Sequence, residues 1–286
     1  MTQMRKPLRK PEKPKCNKRN LKQLVTVTII ILAIVWAYSL FETRQKKHAT
    51  PAFAVQAQQA QDYYDYGEAR EKKRPPVLTS LVQNDDSYII VWLDAGHGGT
   101  DAGTYVIVDG TRVYEKDIAL DIVLLTYEMF QQSNHDIRIY LTRDSDTHMF
   151  ARYRPNQWNQ TPYTVRKADL VVSIHADFYE GRTAQSVSGI RSYYNQNKIG
   201  NSGRVDISAN AFAQILQDHL VATTGARDRG VNGHTNLLIP QTSTMPAVLI
   251  EVGFMSNYDE LALLMTHEYR YQIATALYNG IVAAVS

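Results

Sequence analysis

The sequence of 286 residues contains one cysteine, Cys16. None falls in the stretch that carries folding periodicity, which excludes a disulfide framework and a cysteine-ligated metal site there. No segment meets the positions of a Walker or dinucleotide fingerprint, so its one glycine-rich turn does not read as a nucleotide cradle. Internal repeats are missing too. Acid is scarce in the N-terminal part, where residues 1–86 hold 16 Lys/Arg against 8 Asp/Glu, a net +8. Residues 87–286 hold 15 against 20, a net −5. The basic balance therefore belongs to the tail, the reverse of what a nucleic-acid-binding domain shows, and no nucleic acid partner is expected.

The tail is built in three pieces. Residues 1–23 carry nine Lys/Arg, with Glu12 the only acid. Leu24 to Leu40 is an uncharged apolar run ending in Trp36 and Tyr38. A bilayer-spanning helix takes about 17–25 such residues, and interfacial aromatics at one end fit the usual belt. The charge asymmetry predicts a cytoplasmic arm over 1–23, a single-pass anchor over 24–40 and the rest of the chain outside. A cleaved signal peptide is the rival reading. Ala52-Phe53-Ala54 has the small-x-small form, but it lies too far beyond the apolar run. Both readings export the C-terminal part of the chain. Residues 41–86 are rich in Gln, Ala, Tyr and charge and end near Pro75-Pro76. They read as a tether with a root-mean-square reach of roughly 35–40 Å.

Over residues 87–286 apolar strand runs alternate with helical periodicity. Strands are expected at Tyr88–Leu93, Ile137–Thr142, Asp169–Ile174, Gly189–Tyr194 and Ala247–Ile250. Helices are expected at Lys116–Gln132, Asp206–Thr224 (ending at Gly225) and His267–Val285. This predicts an α/β fold, a single domain with a mostly parallel twisted sheet covered by helices on both faces.

Chemistry-bearing residues sit at the ends of these elements. The first strand breaks into Asp94-Ala95-Gly96-His97-Gly98-Gly99, whose glycines fold the backbone tightly around one imidazole. Stepping back three residues from Ile118, the start of the stripe Ile118, Ile122, Leu125, Met129, lands on Glu115. Its carboxylate thus begins the face that packs on the sheet, whereas a helix-start acid favoured only by the macrodipole would face solvent. His175 and Glu251 each follow a buried apolar strand run, and a carboxylate there is costly to bury unless something cationic meets it. Two His and one Glu are an established ligand set for catalytic zinc, and a second carboxylate can take a proton from water. Spacing alone does not distinguish the two glutamates; we assign Glu115 as ligand and Glu251 as base.

The stretches Leu93-Asp-Ala-Gly-His97-Gly-Gly, Glu115-Lys-Asp, Leu141-Thr-Arg-Asp, Ser173-Ile-His175-Ala, Asp228-Arg-Gly-Val231 and Glu251-Val-Gly-Phe-Met-Ser-Asn257 occur in this order. The series resembles the zinc-dependent N-acetylmuramoyl-L-alanine amidases of bacterial cell-wall turnover, the type 3 amidase family, over about residues 88–285. The resemblance implies one Zn2+ on His97, Glu115 and His175, with Glu251 as the catalytic carboxylate. It also implies hydrolysis of the amide joining N-acetylmuramic acid to L-alanine of the stem peptide. Peptidoglycan is then the substrate, the bacterial plasma membrane the site of anchoring, and an activating protein a possible partner. Ala95 stands where the family often has proline. Asp177 replaces a common asparagine and adds charge near the metal. Residues 144–168 fit the family pattern poorly, and the stretch from Asp177 to Gly189 is too short for the inhibitory helix some members carry. Arg229, able to pair with a peptide carboxylate, and His234, beside Gly233, are the remaining substrate-contact candidates, with Asp177. The alternatives are a zinc peptidase cutting within the stem peptide, which differs only in substrate, and a non-catalytic wall-binding protein of the same fold. Loss of a ligand would mark the latter, and all four positions are intact.

Overall fold

The computed structural model describes residues 88–148, 168–194, 204–234, 237 and 243–286. The basic arm, the apolar run 24–40, the tether and most of 144–168 lie outside the described residues. Among the described residues no helix is long and apolar enough to cross a membrane. In chain order the elements are β1 (Ile89–Ala95), β2 (Tyr105–Val108), β3 (Thr111–Tyr114), α1 (Glu115–Gln131), β4 (Ile137–Leu141), β5 (Leu170–Asp177) and β6 (Ile190–Tyr194). They continue with α2 (Ala209–Thr224), β7 (Asp228–Gly233), β8 (Ala247–Phe254), α3 (Tyr258–Leu264) and α4 (His267–Val285).

Six strands form one sheet in the order β4-β1-β5-β8-β6-β7, and β2 pairs with β3 in a separate hairpin. The four strands β4, β1, β5 and β8 run parallel to their neighbours, β6 runs antiparallel to β8, and β7 is parallel to β6. The sheet is therefore mostly parallel, as expected. Its central strands β5 and β8 begin with mostly apolar residues, Leu170–Ile174 and Ala247–Ile250, that are buried on both faces of the sheet.

Alternation along the strands divides the core. Val91, Leu93, Val172, Ile174, Val248 and Ile250 point to one face, where they pack on Ile118, Ile122, Phe212, Leu216, Ile273 and Leu277 of α1, α2 and α4. Each such side chain, fully buried, contributes about 1.5–3 kcal/mol. Ile90, Trp92, Val171 and Ala247 point to the other face and form a smaller cluster with Tyr88, Met245 and Tyr140. Trp92 stacks on Tyr140 there, with ring centroids 5.5 Å apart. Among the described residues α1, α2 and α4 all lie on the first face, so helical cover is seen on one face of the sheet rather than both.

The sequence-based boundaries move in informative places. β5 and β8 run on to Asp177 and Phe254, past the point where their apolar runs end, so His175 and Glu251 lie within strands rather than after them. The hairpin β2–β3, strand β7 and helix α3 were not expected. α1 buries Phe130 where the stripe pointed to Met129, because α4 covers its flank as well as the sheet. Residues 178–189 hold only a 3-10 turn at Ala184–Ser186, in keeping with the shortness of that stretch.

One charge is built into the helical layer. Arg270 of α4 is 1% exposed; its Nε donates to Asp121 Oδ2 of α1 at 2.6 Å, and its Nη1 to the Leu264 and Met265 carbonyls at 2.9 and 3.2 Å. Removing one partner of such a pair strands a buried charge, which costs about 3–5 kcal/mol. Asp121→Ala is therefore expected to lose that much in denaturant unfolding followed by tryptophan fluorescence, with Asp121→Asn losing less. A loss under about 1 kcal/mol for the alanine variant would show that the pair does not hold α1 to α4.

Candidate active site

The turn after β1 is shaped by what must lie against it. An added Cβ at Gly96 would fall 2.5 Å from His175 Cε1, and one at Gly103 (φ +63°) would fall 2.6 Å from both Glu115 Oε2 and His97 Cδ2. Only glycine leaves room for these rings and this carboxylate. His97 itself has φ +59°, a left-handed conformation that costs a non-glycine residue about 1–3 kcal/mol. The surroundings over-determine it. Arg143, just past β4, donates from Nε to Ala95 O at 3.1 Å and from Nη2 to Gly96 O at 2.8 Å and Lys116 O at 2.7 Å. Asp146 accepts from Gly99 N at 2.6 Å and pairs with Lys116 Nζ. α1 lacks a capping side chain, and Glu115 N and Lys116 N donate instead to Thr104 O and Ala102 O. Turn, helix start and post-β4 loop are thus one hydrogen-bonded body.

This body places His97, Glu115 and His175 together, with one ligand atom from each within 4.8 Å of the others. Glu115 Oε1 lies 3.1 Å from His97 Nε2 and 2.9 Å from His175 Nδ1. Backbone N–H groups also donate to this carboxylate, Thr104 N to Oε2 at 2.9 Å and Ala176 N to Oε1 at 3.3 Å. Burial alone would raise the Glu115 pKa; the His175 and His97 imidazoles reverse that and hold it well below the usual carboxylate range. His97 Nδ1 faces Asp101 Oδ1 at 2.9 Å. Both nitrogens of His97 therefore point at carboxylate oxygens, which a neutral imidazole with one N–H cannot satisfy by itself. A divalent cation held among His97, Glu115 and His175 would resolve this, with His97 Nδ1–H donating to Asp101 and Nε2 left free to act as a ligand. The donor set, two imidazoles and a carboxylate, is that of catalytic zinc.

Beyond the triad the site continues as a row across the sheet. His175 on β5 is the register partner of Glu251 on β8, and Glu251 is the partner of Arg191 on β6. Residues opposite one another in a ladder share a face, here the face that also carries Trp92 and Val171 and lies away from the helices. Glu251 Oε2 is buried with no hydrogen-bond partner among the described residues. Burial, with Asp177 and Glu115 nearby, raises its pKa well above the ordinary value, against the pull of Arg191. A carboxyl whose pKa is raised in this way holds a proton more readily than an exposed glutamate does. Asp177, at the end of β5, accepts from Phe178 N and is likewise raised by burial.

Arg229 lies on β7 within the register shift against β6, between the pairs Ile190–Asp228 and Ser192–Val231 that also flank Arg191. His234 stands apart from the His97–Glu115–His175 group; its ring meets Tyr193 edge-on at 5.6 Å and its backbone N–H donates to Tyr194 O. Sequence reasoning gave no role to Asp101, Arg143 or Arg191. The first lies within the glycine-rich turn and the second within the Leu141-Thr-Arg-Asp stretch, so proximity to named motifs was their available signal. Arg191 carried none, because its importance comes from cross-strand register.

Comparison with known proteins agrees with this geometry. Residues 91–283 match the N-acetylmuramoyl-L-alanine amidase family. The germination-specific N-acetylmuramoyl-L-alanine amidase of Bacillus subtilis is 29% identical over 202 residues, covering 68% of this chain and 78% of that one. The crystal structure of an N-acetylmuramoyl-L-alanine amidase from Clostridium difficile 630 superposes with a TM-score of 0.60 at 28% identity, over 69% of this chain and 97% of the other. The CwlD amidase from Clostridioides difficile, solved in complex with the GerS lipoprotein, gives 0.57 at 26% identity, over 69% and 98%. With the matched region taking in the six-stranded sheet, the three helices packed on it and His97, Glu115, His175 and Glu251, the chain belongs to the N-acetylmuramoyl-L-alanine amidase family.

Proposed function

We propose that this amidase is a zinc-dependent peptidoglycan hydrolase, tethered outside the bacterial plasma membrane by residues 24–40, with His97, Glu115 and His175 as ligands and Glu251 as catalytic base. The observation that carries the reading is the buried, partnerless Glu251 oxygen set one strand from His175. Zinc, held by His97, Glu115 and His175, would supply a Lewis acid able to lower the pKa of water and polarise the scissile carbonyl. The chain's own residues do the rest. Asp101 fixes the His97 tautomer, so that Nε2 presents its lone pair. Glu251, with its raised pKa, accepts a proton from the attacking water and returns it to the amine of L-alanine as that group leaves. Arg143 and the glycines keep the turn closed on the rings, so these groups need no rearrangement when substrate arrives. An activating protein remains a reading supported by the likeness to CwlD, which was solved with a lipoprotein bound.

Digestion of purified peptidoglycan by the full chain, analysed by mass spectrometry, tests the activity. The expected products are free stem peptides beginning at L-alanine and intact glycan, abolished by a chelator and restored by zinc. Glu251→Gln is expected to keep stoichiometric zinc while losing about 10²–10⁴ in rate. Cuts inside the stem would move the reading to a peptidase, and retention on the wall without products would move it to a binding protein. Asp101→Ala is expected to weaken zinc affinity about 10–100-fold in competition with a chromophoric chelator; unchanged affinity would remove it from the metal's support. For the anchor, protease added to intact protoplasts should remove the domain while sparing residues 1–23. Protection of the domain would place it inside.

A further inference from the structure

The row of side chains does not stop at Glu251. Arg191 comes next on β6, and Arg229 follows on β7 at the register shift. Both are half-buried, and the Nε of each is buried with no hydrogen-bond partner among the described residues. Of the remaining donors, Arg191 Nη1 donates to Tyr193 Oη at 2.9 Å and Arg229 Nη1 to Ser188 O at 3.2 Å. Neither guanidinium is ion-paired among the described residues. That is unusual: half-buried arginines are expected to meet a carboxylate, and each unmet donor carries a desolvation cost.

Their approach is also enforced. Burial and the charges of Arg191 and Arg227 all depress the Arg229 pKa, so the cations repel one another. Gly189, with φ +113°, makes the approach sterically feasible, since a Cβ there would collide with the Arg227 backbone and meet Arg229 Cγ at 3.0 Å. Asp177 is within electrostatic reach of both arginines and Glu251 of Arg191, yet none of these carboxylates forms an ion pair with them among the described residues, and Glu260 does not neutralise the pair either. Its two oxygens are taken by Gly189 N at 2.7 Å and Phe254 N at 2.8 Å, so it pins the start of β6 to the end of β8. The ring of Phe254 lies under Arg229, 5.1 Å from Cζ to centroid, and fixes its plane.

We infer that Arg191 and Arg229 form a carboxylate-binding subsite for the stem peptide, which seats the acidic residue following L-alanine. The inference rests on the reading of Glu251 as the residue beside the scissile amide. Neighbouring strands are about 4.8 Å apart, so Arg191 lies about 5 Å and Arg229 about 10 Å across the sheet from Glu251. A peptide advances about 3.3–3.6 Å per residue. The group that reaches the pair is therefore a carboxylate on the second or third residue of the stem, and the α-carboxylate of the second is the first available. Two planar forks with unmet N–H groups match a carboxylate's oxygens. In this arrangement the metal end of the row holds the bond to be cut, and the arginine end sets which peptides are admitted.

The test is isothermal calorimetry on the full chain with two released stem fragments, L-alanyl-D-isoglutamate and L-alanyl-D-isoglutamine, which differ in one carboxylate replaced by a primary amide. The acid form is expected to bind about tenfold more tightly or better, with the preference falling as salt rises. In Arg191→Gln and in Arg229→Gln the ratio of the two affinities is expected to collapse to within about twofold. Lysine at either position keeps charge but loses the fork, and should retain part of the ratio, which covers the case of a glutamine variant that does not fold. Equal binding of acid and amide by the wild-type chain would overturn the inference, as would a ratio that survives both glutamine substitutions. Because binding is read without turnover, loss of this ratio and loss of peptidoglycan hydrolysis are separate results. The first removes the subsite, the second the amidase mechanism.

Discussion

A single carboxylate, that of Glu115, is the constraint around which the site is assembled. It is buried, yet it stays charged because two imidazoles and two backbone N–H groups converge on it from β5, the turn after β1 and the segment leading into β2. None of those elements can shift alone without stranding a charge in an apolar setting. The helix start that carries Glu115 is itself completed by Ala102 O and Thr104 O rather than by a capping side chain. The first turn of α1 and the His97 turn therefore fold as one unit. Arg143 extends the lock to the loop after β4, and a strained His97 backbone persists inside it.

From that fixed point the sheet distributes the chemistry sideways. Parallel strands β1 and β5 deliver the metal-ligand candidates at their carboxyl ends, the usual location of sites in open α/β sheets. β8 adds Glu251 in register with His175. The reversal of direction between β8 and β6 then brings Arg191 alongside, although it lies near the beginning of its own strand. Environment sorts the two glutamates: one is held ionised by imidazoles, while the other is kept protonatable by burial among carboxylates. That contrast is a physical basis for giving the two glutamates different roles.

Much of this was legible in the amino-acid order. The apolar-rich run at Leu170–Ile174, interrupted only by Ser173, and the apolar run at Ala247–Ile250 marked central strands, and the step back from Ile118 put Glu115 on the buried stripe. Thr266 before His267 and Gly225 after Thr224 fit the observed caps of α4 and α2. The hairpin β2–β3 could have been read from Asp109-Gly110, whose positive φ values, +50° and +81°, are those such a pair favours in a two-residue turn. Four-residue strands left too little alternation to notice. β7, with the sequence Asp-Arg-Gly-Val-Asn-Gly, has almost no apolar content and forms because β6 offers it an edge. The extension of β5 and β8 was hidden because His175, Asp177 and Glu251 interrupt the apolar pattern even though the strands continue and stay largely buried there. Arg191 needed the register itself.

The antiparallel junction at β6 has a further consequence for how this enzyme can diversify. On the parallel side the cleft is edged by segments that leave the strands, and these are held by Glu115, Arg143 and the glycines. On the reversed side it is edged by segments that enter them, 178–189 before β6 and 225–227 before β7. The longer of these carries exposed Phe178 and Tyr179 and is fastened mainly through Gln185 and Ser256. Insertions or deletions there would alter what borders the Glu251–Arg191 end of the row while leaving the turn of His97 and the helix start of Glu115 in place. Strand direction thus separates a border held by a dense hydrogen-bond network from one fastened at few points.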